Sequence, residues 1–335
     1  MTVDSLQTPR EHALFFPLAS PLRLAAMRIV AVFCQLVFFA EALDYQLNKL
    51  GSPAFSDPQW FIRILTVVLP VDVLRTEQFL TGLYWVTIAA GLLALVGYKT
   101  RGALLLFSMG TMTQIAHVYS YGEHHHPEAA FCVFLLMLAF APSGRALSID
   151  AWIQAKHGYG ADEGWGPDAK LTTAMWPLVA IQCFLALAYF DAFLSKAIVG
   201  GLHWINGYTL QTYLLRDGLR WDRPVGVWMS QFRWLGIAFA AGAVVFDALF
   251  WMVLLPRFKK LAWLWPIVPM FLIAGAVMHI TIYVAQAAPF FQFVVLYLTF
   301  VPWERWGWLQ RVSRITVPAA LPTIKTQTES EAPAA

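Results

Sequence analysis

The chain alternates long apolar blocks with short polar segments. A helix of about 20 apolar residues can cross a bilayer, and in lipid it satisfies its own backbone hydrogen bonds. Eight blocks reach or approach this length, although the fourth and eighth are short for a full crossing. They cover residues 22–43, 79–98, 103–121, 129–142, 171–194, 235–255, 261–284 and 289–301. The pattern predicts an all-α, polytopic integral membrane bundle of about eight transmembrane helices with interfacial helices.

The segments between and outside these blocks complete the predicted organisation. Residues 59–74 mix apolar positions with Arg63 and Asp72, which predicts an interfacial helix. Residues 154–170 read as a polar linker, and the Pro-, Ala-, Thr- and Glu-rich tail after residue 318 is expected to be disordered. No cleavable signal peptide is evident, so the first span is expected to remain as an anchor. We therefore expect an N-terminal cytoplasmic segment (1–21), one transmembrane domain (22–303) and a partly disordered cytoplasmic tail (304–335).

The orientation prediction comes from Lys and Arg in the short loops, which favour the cytoplasmic side. With a cytoplasmic N-terminus, the inner loops carry Lys99, Arg101, Arg145, Lys156, Lys170, Arg257, Lys259 and Lys260. The outer loops around His124 and Ala287 carry no Lys or Arg, which agrees with this orientation. The outer loops near Lys49 and Arg216 are basic and argue against it. On balance both termini are expected on the cytoplasmic side.

Composition supports a membrane protein. Hydrophobic residues make up 59% of the chain and charged residues only 13%, about half the charged share of a soluble domain. The 15 Trp and 25 Phe suit aromatic belts at the membrane surfaces. The net charge of +3 is too small to indicate a nucleic-acid partner. The three cysteines lie in apolar blocks without metal or disulfide spacing, and are interpreted as small buried hydrophobes.

Ionisable residues inside or at the ends of membrane spans are costly, so each is a candidate for function. In the predicted orientation most of them fall at the outer ends of the spans, which predicts a pocket on the extracytoplasmic side. The residues so placed are Glu41, Asp44, His117, His124, His125, His126, Asp191, Lys196 and His279.

Each of these residues also has a structural interpretation. Lys196 can extend its ammonium from a helix end to the membrane surface, and Asp191 can pair with a neighbouring cation. His279 can be a packed core histidine. The run His124–His126 can be a solvated loop, because consecutive helical residues point in different directions. Asp247 lies deeper in its span, and we expect it to form an inter-helix hydrogen bond.

A metal centre is the competing interpretation of the histidines. The chain has one contiguous histidine run and otherwise isolated histidines. It lacks the repeated His-x-x-His groups of membrane di-iron enzymes, so no metal is expected. Serine-hydrolase, P-loop and dinucleotide motifs are also absent from the sequence.

Three segments carry a resemblance to a known family. One is Tyr-Phe-Asp-Ala-Phe-Leu-Ser-Lys at 189–196, followed by Trp-Ile-Asn-Gly-Tyr at 204–208. Another is His126 with the apolar span that ends at Ser-Ile-Asp, 148–150. The last is His-Ile-Thr at 279–281, running into Pro-Phe-Phe at 289–291. In order and placement they resemble the membrane domain of vitamin K-dependent γ-glutamyl carboxylase and its bacterial relatives, the HTTM family, over most of residues 22–303.

The resemblance implies a chemistry and a set of roles. In the carboxylase, the lysine that matches Lys196 deprotonates a reduced naphthoquinone, and reaction with oxygen yields a strong base that removes a γ-proton from a glutamate. Carbon dioxide then captures the carbanion. A lysine must be neutral to act as a base, and burial among apolar groups favours that form. By the same resemblance, His126 and His279 would assist the base Lys196 in catalysis, and Asp191 would have a positioning role. The expected substrate- or cofactor-binding residues are Tyr189, Trp204, Tyr208, His125 and His117.

The resemblance also sets the expected surroundings and leaves three functions open. The protein would lie in a bacterial inner membrane and act on a peptide or lipid at the outer leaflet, with a lipid-bilayer environment and a possible membrane or periplasmic partner subunit. The main hypothesis is a carboxylase-like lyase with a reduced naphthoquinone cofactor. The alternatives are a non-catalytic subunit for maturation or export of a secreted peptide, and a quinone-binding electron-transfer subunit.

Overall fold

The computed structural model describes residues 19–40, 42–50, 59–122 and 126–316 of the chain. Apart from one isolated bridge between Ala19 and Leu171, these residues form helices and connecting turns. The all-α prediction is confirmed for this part of the chain. Residues 1–18 of the predicted N-terminal segment and the tail after residue 318 lie outside the described residues.

The described residues form a succession of α-helices joined by short turns and 3₁₀ segments. In chain order they are α1 (Pro21–Phe39), α2 (Ala42–Leu50), α3 (Trp60–Leu65), α4 (Val71–Leu74), α5 (Glu77–Val96), α6 (Thr100–Tyr119), α7 (His126–Phe140), α8 (Ile149–Lys156), α9 (Trp176–Ser195), α10 (Tyr208–Arg220), α11 (Pro224–Ser230), α12 (Arg233–Leu249), α13 (Ile267–Gln286), α14 (Phe291–Tyr297) and α15 (Gly307–Thr316).

Five helical segments are long and apolar enough to cross a membrane, which indicates a membrane protein. They are Pro21–Phe39, Glu77–Val96, Trp176–Asn206, Arg233–Arg257 and Ile267–Gln286. The fourth and eighth predicted spans correspond to shorter apolar helices, Pro127–Phe140 and Phe291–Phe300. Eight crossings therefore stay a prediction, while five candidates stand on length and composition.

The third predicted span is α6, a 20-residue helix that is not among the five because it is more polar. Apart from exposed Arg101, most of its polar side chains are buried against neighbouring helices. The hydroxyls of Ser108, Thr111 and Thr113 donate to carbonyl oxygens one turn earlier in the same helix. This is how a polar helix can be accommodated inside an apolar bundle.

Several predicted boundaries are wrong, for local reasons. The interfacial segment 59–74 is two short helices, α3 and α4, with Pro70 immediately before the second. The first span ends at Phe39, and α2 begins separately at Ala42. The seventh span begins at Ile267, directly after Pro266, because residues 259–264 form a 3₁₀ segment instead. The linker prediction at 154 starts too early, since α8 continues to Lys156.

A buried arginine ties one end of the bundle together. Arg28 in α1 is fully buried and donates to the carbonyl oxygens of Ser143 and Leu147, at 3.2 and 2.5 Å. In the same region the Asp150 carboxylate accepts from the Lys99 and Thr100 backbone amides, each at 2.8 Å. These bonds fix the loop after α7 against the α5–α6 turn.

Candidate functional site

The candidate site lies where α9 gives way to a looser helical segment. Pro177 at the helix start has a fixed φ suited to the first turn. After Ser195 the chain makes a wide π turn over Lys196–Gly200 and then a 3₁₀ segment over Gly201–Asn206. Such π turns within helices often mark functional sites. The segment ends at Gly207, whose φ of +88° and close approach to the Arg233 carbonyl leave little room for a side chain.

The helical segment that contains Lys196 continues beyond it, while the placement of Lys196 and Asp191 at the outer end of the span stays a prediction. The apolar segment continues through the π turn to Asn206 and forms one candidate span from Trp176. Ala197, Ile198 and Val199 continue the apolar run beyond residue 194, where the sequence-based prediction ended the span. Lys196 is therefore followed by further apolar residues in the same helical segment.

The partner of Lys196 is Asp247 of α12. Lys196 Nζ donates to Asp247 Oδ2 at 2.7 Å and to the Ala192 carbonyl at 3.4 Å. The Asp247 side chain is 6% exposed and that of Lys196 is 22% exposed. The ammonium also lies 5.7 Å from the centre of the Trp204 ring. The inter-helix hydrogen bond expected of Asp247 is confirmed, and it joins Asp247 to the lysine of the site.

Two predicted residues, Tyr189 and His279, meet two turns before Lys196 along α9. The Tyr189 hydroxyl and His279 Nε2 are hydrogen-bonded at 2.7 Å, and the Tyr297 hydroxyl bonds to that of Tyr189. All three side chains are buried. Gly275 makes room for this arrangement, since a Cβ there would lie 2.5 Å from the Tyr297 hydroxyl oxygen. His279 Nδ1 is buried and has no partner among the described residues.

Aromatic rings surround this hydrogen-bonded cluster. His279 stacks on Phe290 with ring centres 5.0 Å apart. Tyr189 contacts Phe246 at 5.1 Å and Phe250 at 4.4 Å. An apolar enclosure strengthens hydrogen bonds between the few polar groups it contains. The hydroxyls and imidazole are therefore held in a defined geometry.

A half-open apolar pocket is lined by neighbours of both polar groups, while Lys196 and His279 are not among its lining residues. Its volume is about 380 Å³, and its walls come from α10, α11, α12, α13 and the segment before α10. Trp204, over which Lys196 lies, forms part of the wall, as do Phe246, which contacts Tyr189, and Met278, the neighbour of His279. The volume is in the range of sites for small organic molecules. An apolar ligand there would lie against the residues that flank the lysine and the histidine.

The remaining predicted site residues lie apart from this group. Asp191 is on an exposed face of α9, and Tyr208 is exposed beneath the Arg233 guanidinium at the start of α10. His117 is buried near the end of α6, beside Tyr121. His126 is the first residue of α7, but its side chain lies outside the described part of the structure, as does all of His125.

Other sequence-based expectations can be placed in the same way. Within the described residues, no group of three or more His, Cys, Asp or Glu side chains is arranged to hold a metal ion. Cys132 is buried, while Cys34 and Cys183 are half-buried, and all three are free thiols.

Sequence reasoning missed Tyr297 as a member of the site and undervalued Asp247. Asp247 carried a signal, because an ionisable residue in mid-span requires a partner. Tyr297 carried none, since one tyrosine in an apolar block is indistinguishable from core packing.

Comparisons of the chain with protein-family models, with characterised proteins and with solved structures found no match.

Proposed function

We propose that the protein is a membrane enzyme related in chemistry to γ-glutamyl carboxylase, with Lys196 as its proton-accepting group. The observation that carries the proposal is the pair of half-buried Lys196 and buried Asp247, at 2.7 Å, whose neighbours Trp204 and Phe246 line an apolar pocket. An ion pair inside an apolar region is costly and is commonly retained for function. The resemblance of residues 189–208 to the carboxylase motif assigns the same lysine independently of this contact.

The pocket has the features that a reduced naphthoquinone requires. Its walls are mostly apolar, as a fused aromatic ring system needs, and Trp204 and Phe246 offer flat surfaces for stacking. When bound, the reduced quinone would supply a hydroxyl group whose deprotonation begins the carboxylase reaction. A lipid-soluble molecule would enter from the membrane through the open side of the pocket.

Asp247 gives Lys196 a route to its basic form. As an ion pair, Lys196 is an ammonium, which cannot accept a proton. Transfer of one proton along the 2.7 Å bond to Asp247 leaves a neutral amine and a neutral acid. The amine can then accept a proton from a hydroxyl donor in the pocket, which restores the ammonium. In this scheme Asp247 positions the lysine and holds its proton, the role that the sequence had assigned to Asp191.

The cluster of Tyr189, His279 and Tyr297 would orient the ligand and stabilise developing negative charge. The Tyr189 hydroxyl is hydrogen-bonded to both Tyr297 and His279, so the choice of donor in one bond affects the choice of donor in the other. His279 Nδ1 remains available for a further bond. Preorganised donors in an apolar site are effective at stabilising anions because no water must reorganise.

The proposed setting is a bacterial inner membrane with both termini cytoplasmic. The substrate would be a peptide or a lipid at the outer leaflet, presented by a membrane or periplasmic subunit. The basic loops at Lys99, Arg145 and Lys259 support this orientation. The apolar helix faces are compatible with lipid contact, and exposed Trp228 and Trp234 suit the membrane–water boundary.

The decisive experiment measures the mass of secreted peptides co-expressed with the protein. We expect a gain of one carbon dioxide per modified glutamate with the unaltered chain, and no gain with Lys196→Ala or Asp247→Asn. Lys170→Ala, a substitution of an exposed lysine on a connecting segment, is the matched control and should retain the modification. Unchanged peptide masses for all four proteins would refute carboxylation of those peptides.

One observation favours a second candidate, a non-catalytic subunit for peptide maturation or export. Lys196 is already engaged with Asp247, and this contact fastens the segment after α9 to α12. A buried pair with a purely structural role can often be replaced by apolar residues without loss. The double variant Lys196→Met with Asp247→Leu should therefore preserve peptide maturation if the pair is structural, and should abolish it if Lys196 is the base.

A further inference from the structure

Two arginines from distant parts of the chain lie near each other at one end of the bundle. Arg23 belongs to the first turn of α1, and Arg257 is the last residue of the 3₁₀ segment Phe250–Arg257 that follows α12. The two guanidiniums are close enough for their charges to repel. The fold brings them together in spite of this repulsion, so the contacts of each guanidinium decide what the pair can do.

A shared network of neutral groups holds both guanidiniums. Arg23 Nη2 donates to the Thr299 carbonyl at 3.0 Å, and Gln182 Nε2 donates to the same oxygen at 2.8 Å. Gln182 Oε1 in turn accepts from Arg257 Nη2. Because the Gln182 nitrogen faces a carbonyl and its oxygen faces a guanidinium, both ends of the amide have complementary partners. The two arginines are thus fixed in place without a carboxylate between them.

The charge of this pair is only partly compensated. Glu304 is the acid beside it, and its Oε1 lies 3.8 Å from Arg23 Nη1, beyond hydrogen-bond distance. Arg257 forms no ion pair with a carboxylate in the described part of the chain. Arg305 adds a further positive charge close enough to repel Arg23. Three cations therefore surround one carboxylate, and a guanidinium withdrawn from water without a counter-ion is costly.

Arg257 retains hydrogen-bond donors for a ligand. Its Nη2 is bonded to Gln182, whereas Nε and Nη1 make no hydrogen bond to the described residues and are not fully buried. The side chain as a whole is half-buried. A guanidinium presents its N–H donors in a fixed plane, which suits the oxygens of a phosphate. The free donors and the surplus charge together favour an anion with several acceptor oxygens.

Exposed tryptophans lie close to the arginines in the chain. Two follow Arg257 and two follow Glu304, and they are Trp263, Trp265, Trp306 and Trp308. Tryptophan is enriched at the headgroup level of a bilayer. Basic recesses between helix ends hold the headgroups of anionic lipids in other membrane proteins. The surroundings therefore favour a lipid phosphate over a soluble anion.

We propose that the Arg23–Arg257 pair binds the phosphate group of an anionic phospholipid. Arg257 donates to the phosphate oxygens, while Arg23 and Arg305 add positive charge. Gln182 and the Thr299 carbonyl hold the two guanidiniums in position. A headgroup without a cation is preferred, because a cation would be repelled by the arginines. A free phosphate shares this chemistry, and the two sources are separated by experiment.

The test compares phosphatidylglycerol with phosphatidylcholine of identical acyl chains. Both carry the phosphate, but only choline adds a positive charge beside it. Binding to the purified, detergent-solubilised full chain is measured by native mass spectrometry and by the shift in unfolding temperature. We expect phosphatidylglycerol to bind about tenfold more tightly. Inorganic phosphate is titrated separately. A similar shift with phosphate identifies a soluble phosphate as a sufficient ligand, whereas phosphatidylglycerol binding without that shift assigns the site to the lipid.

A matched set of variants separates this site from general attraction to a basic surface. Arg257→Gln removes the charge but keeps a side-chain donor, and should weaken phosphatidylglycerol binding about tenfold and abolish the preference. Arg257→Lys retains the charge without the planar donors, and should recover part of the binding. Stability without lipid should not fall in Arg257→Gln, because relief of the repulsion from Arg23 offsets the altered hydrogen bond. Arg101→Gln, at an exposed position on the same predicted side of the membrane, is the control and should keep the preference.

Two results would overturn the proposal. One is equal binding of the two lipids by the unaltered chain together with no stabilisation by inorganic phosphate. The other is equal weakening in Arg257→Gln and Arg101→Gln, which would show a diffuse attraction rather than a site. Neither result involves peptide modification, so failure of this proposal is independent of the proposed function at Lys196.

Discussion

Two charged sites in the described part of the bundle, one at Arg28 and one at Lys196 and Asp247, have partners that differ in kind. Arg28 donates to main-chain carbonyls, and nearby Asp150 accepts mainly from main-chain amides. Lys196 and Asp247 instead meet side chain to side chain, next to an apolar pocket. Main-chain partners cannot move without unfolding a helix or loop, whereas side chains can exchange protons and ligands. The comparison assigns Arg28 to holding the fold and Lys196 to the candidate chemistry.

Removal of the Arg28 charge should give the largest loss of stability. Arg28→Met leaves the Ser143 and Leu147 carbonyls without their charged donor, and we expect a loss of about 4 kcal/mol in the free energy of unfolding. No second substitution should restore it, since the partners are main-chain atoms. Unfolding in detergent is the measurement. Arg101→Met, at an exposed position, should change stability by less than about 0.5 kcal/mol. Equal effects of the two changes would contradict a structural role for Arg28.

Breaking the Lys196–Asp247 pair should cost somewhat less, and the loss should be reversible. Lys196→Met leaves Asp247 buried without its cation, and we expect a loss of about 3 kcal/mol. Adding Asp247→Leu should recover most of that loss, because two apolar side chains satisfy each other. The same unfolding assay measures both proteins. A double variant no more stable than Lys196→Met would show that the pair differs less from Arg28 than we infer.

The hydrogen-bonded cluster around Tyr189 should show a smaller effect. Tyr189→Phe keeps the ring contacts with Phe250 but removes the hydroxyl that joins His279 to Tyr297. We expect a loss of about 1–2 kcal/mol. Tyr213→Phe, an exposed matched change, should have almost no effect on unfolding. Comparable losses in both would mean that the cluster is not coupled as the distances indicate.

The smallest effect is expected at the turn between α13 and α14. Ala287 ends α13 with a φ of +56°, a region in which a Cβ is strained. Ala287→Gly should relieve that strain and raise stability by about 0.5–1 kcal/mol, less any entropy that the more flexible glycine loses on folding. A rise in unfolding temperature is the expected result. A clear decrease would show that the turn is not strained.

Much of the fold was predictable because apolar blocks and helix-ending residues are local signals. The all-α class, five spans of sufficient length, and the shortness of the helices at 129–142 and 289–301 follow from the order of residues. The boundaries at residues 261 and 194 were not predictable in this way. An apolar run looks the same whether it forms an α-helix, a 3₁₀ segment or a π turn, and tertiary packing decides between them.

The candidate site likewise has residues that the sequence predicted and contacts that only the structure revealed. The sequence by itself singled out Lys196, Tyr189, Trp204 and His279, because costly or motif-bearing residues in apolar blocks are visible without a structure. Only the tertiary structure joined Lys196 to Asp247, brought Tyr297 to Tyr189, and separated Asp191 and Tyr208 from them. It also linked two arginines from distant parts of the chain through one glutamine and one carbonyl oxygen. Partners that are distant in the chain are set by how helices pack, and a single sequence carries no direct record of that packing.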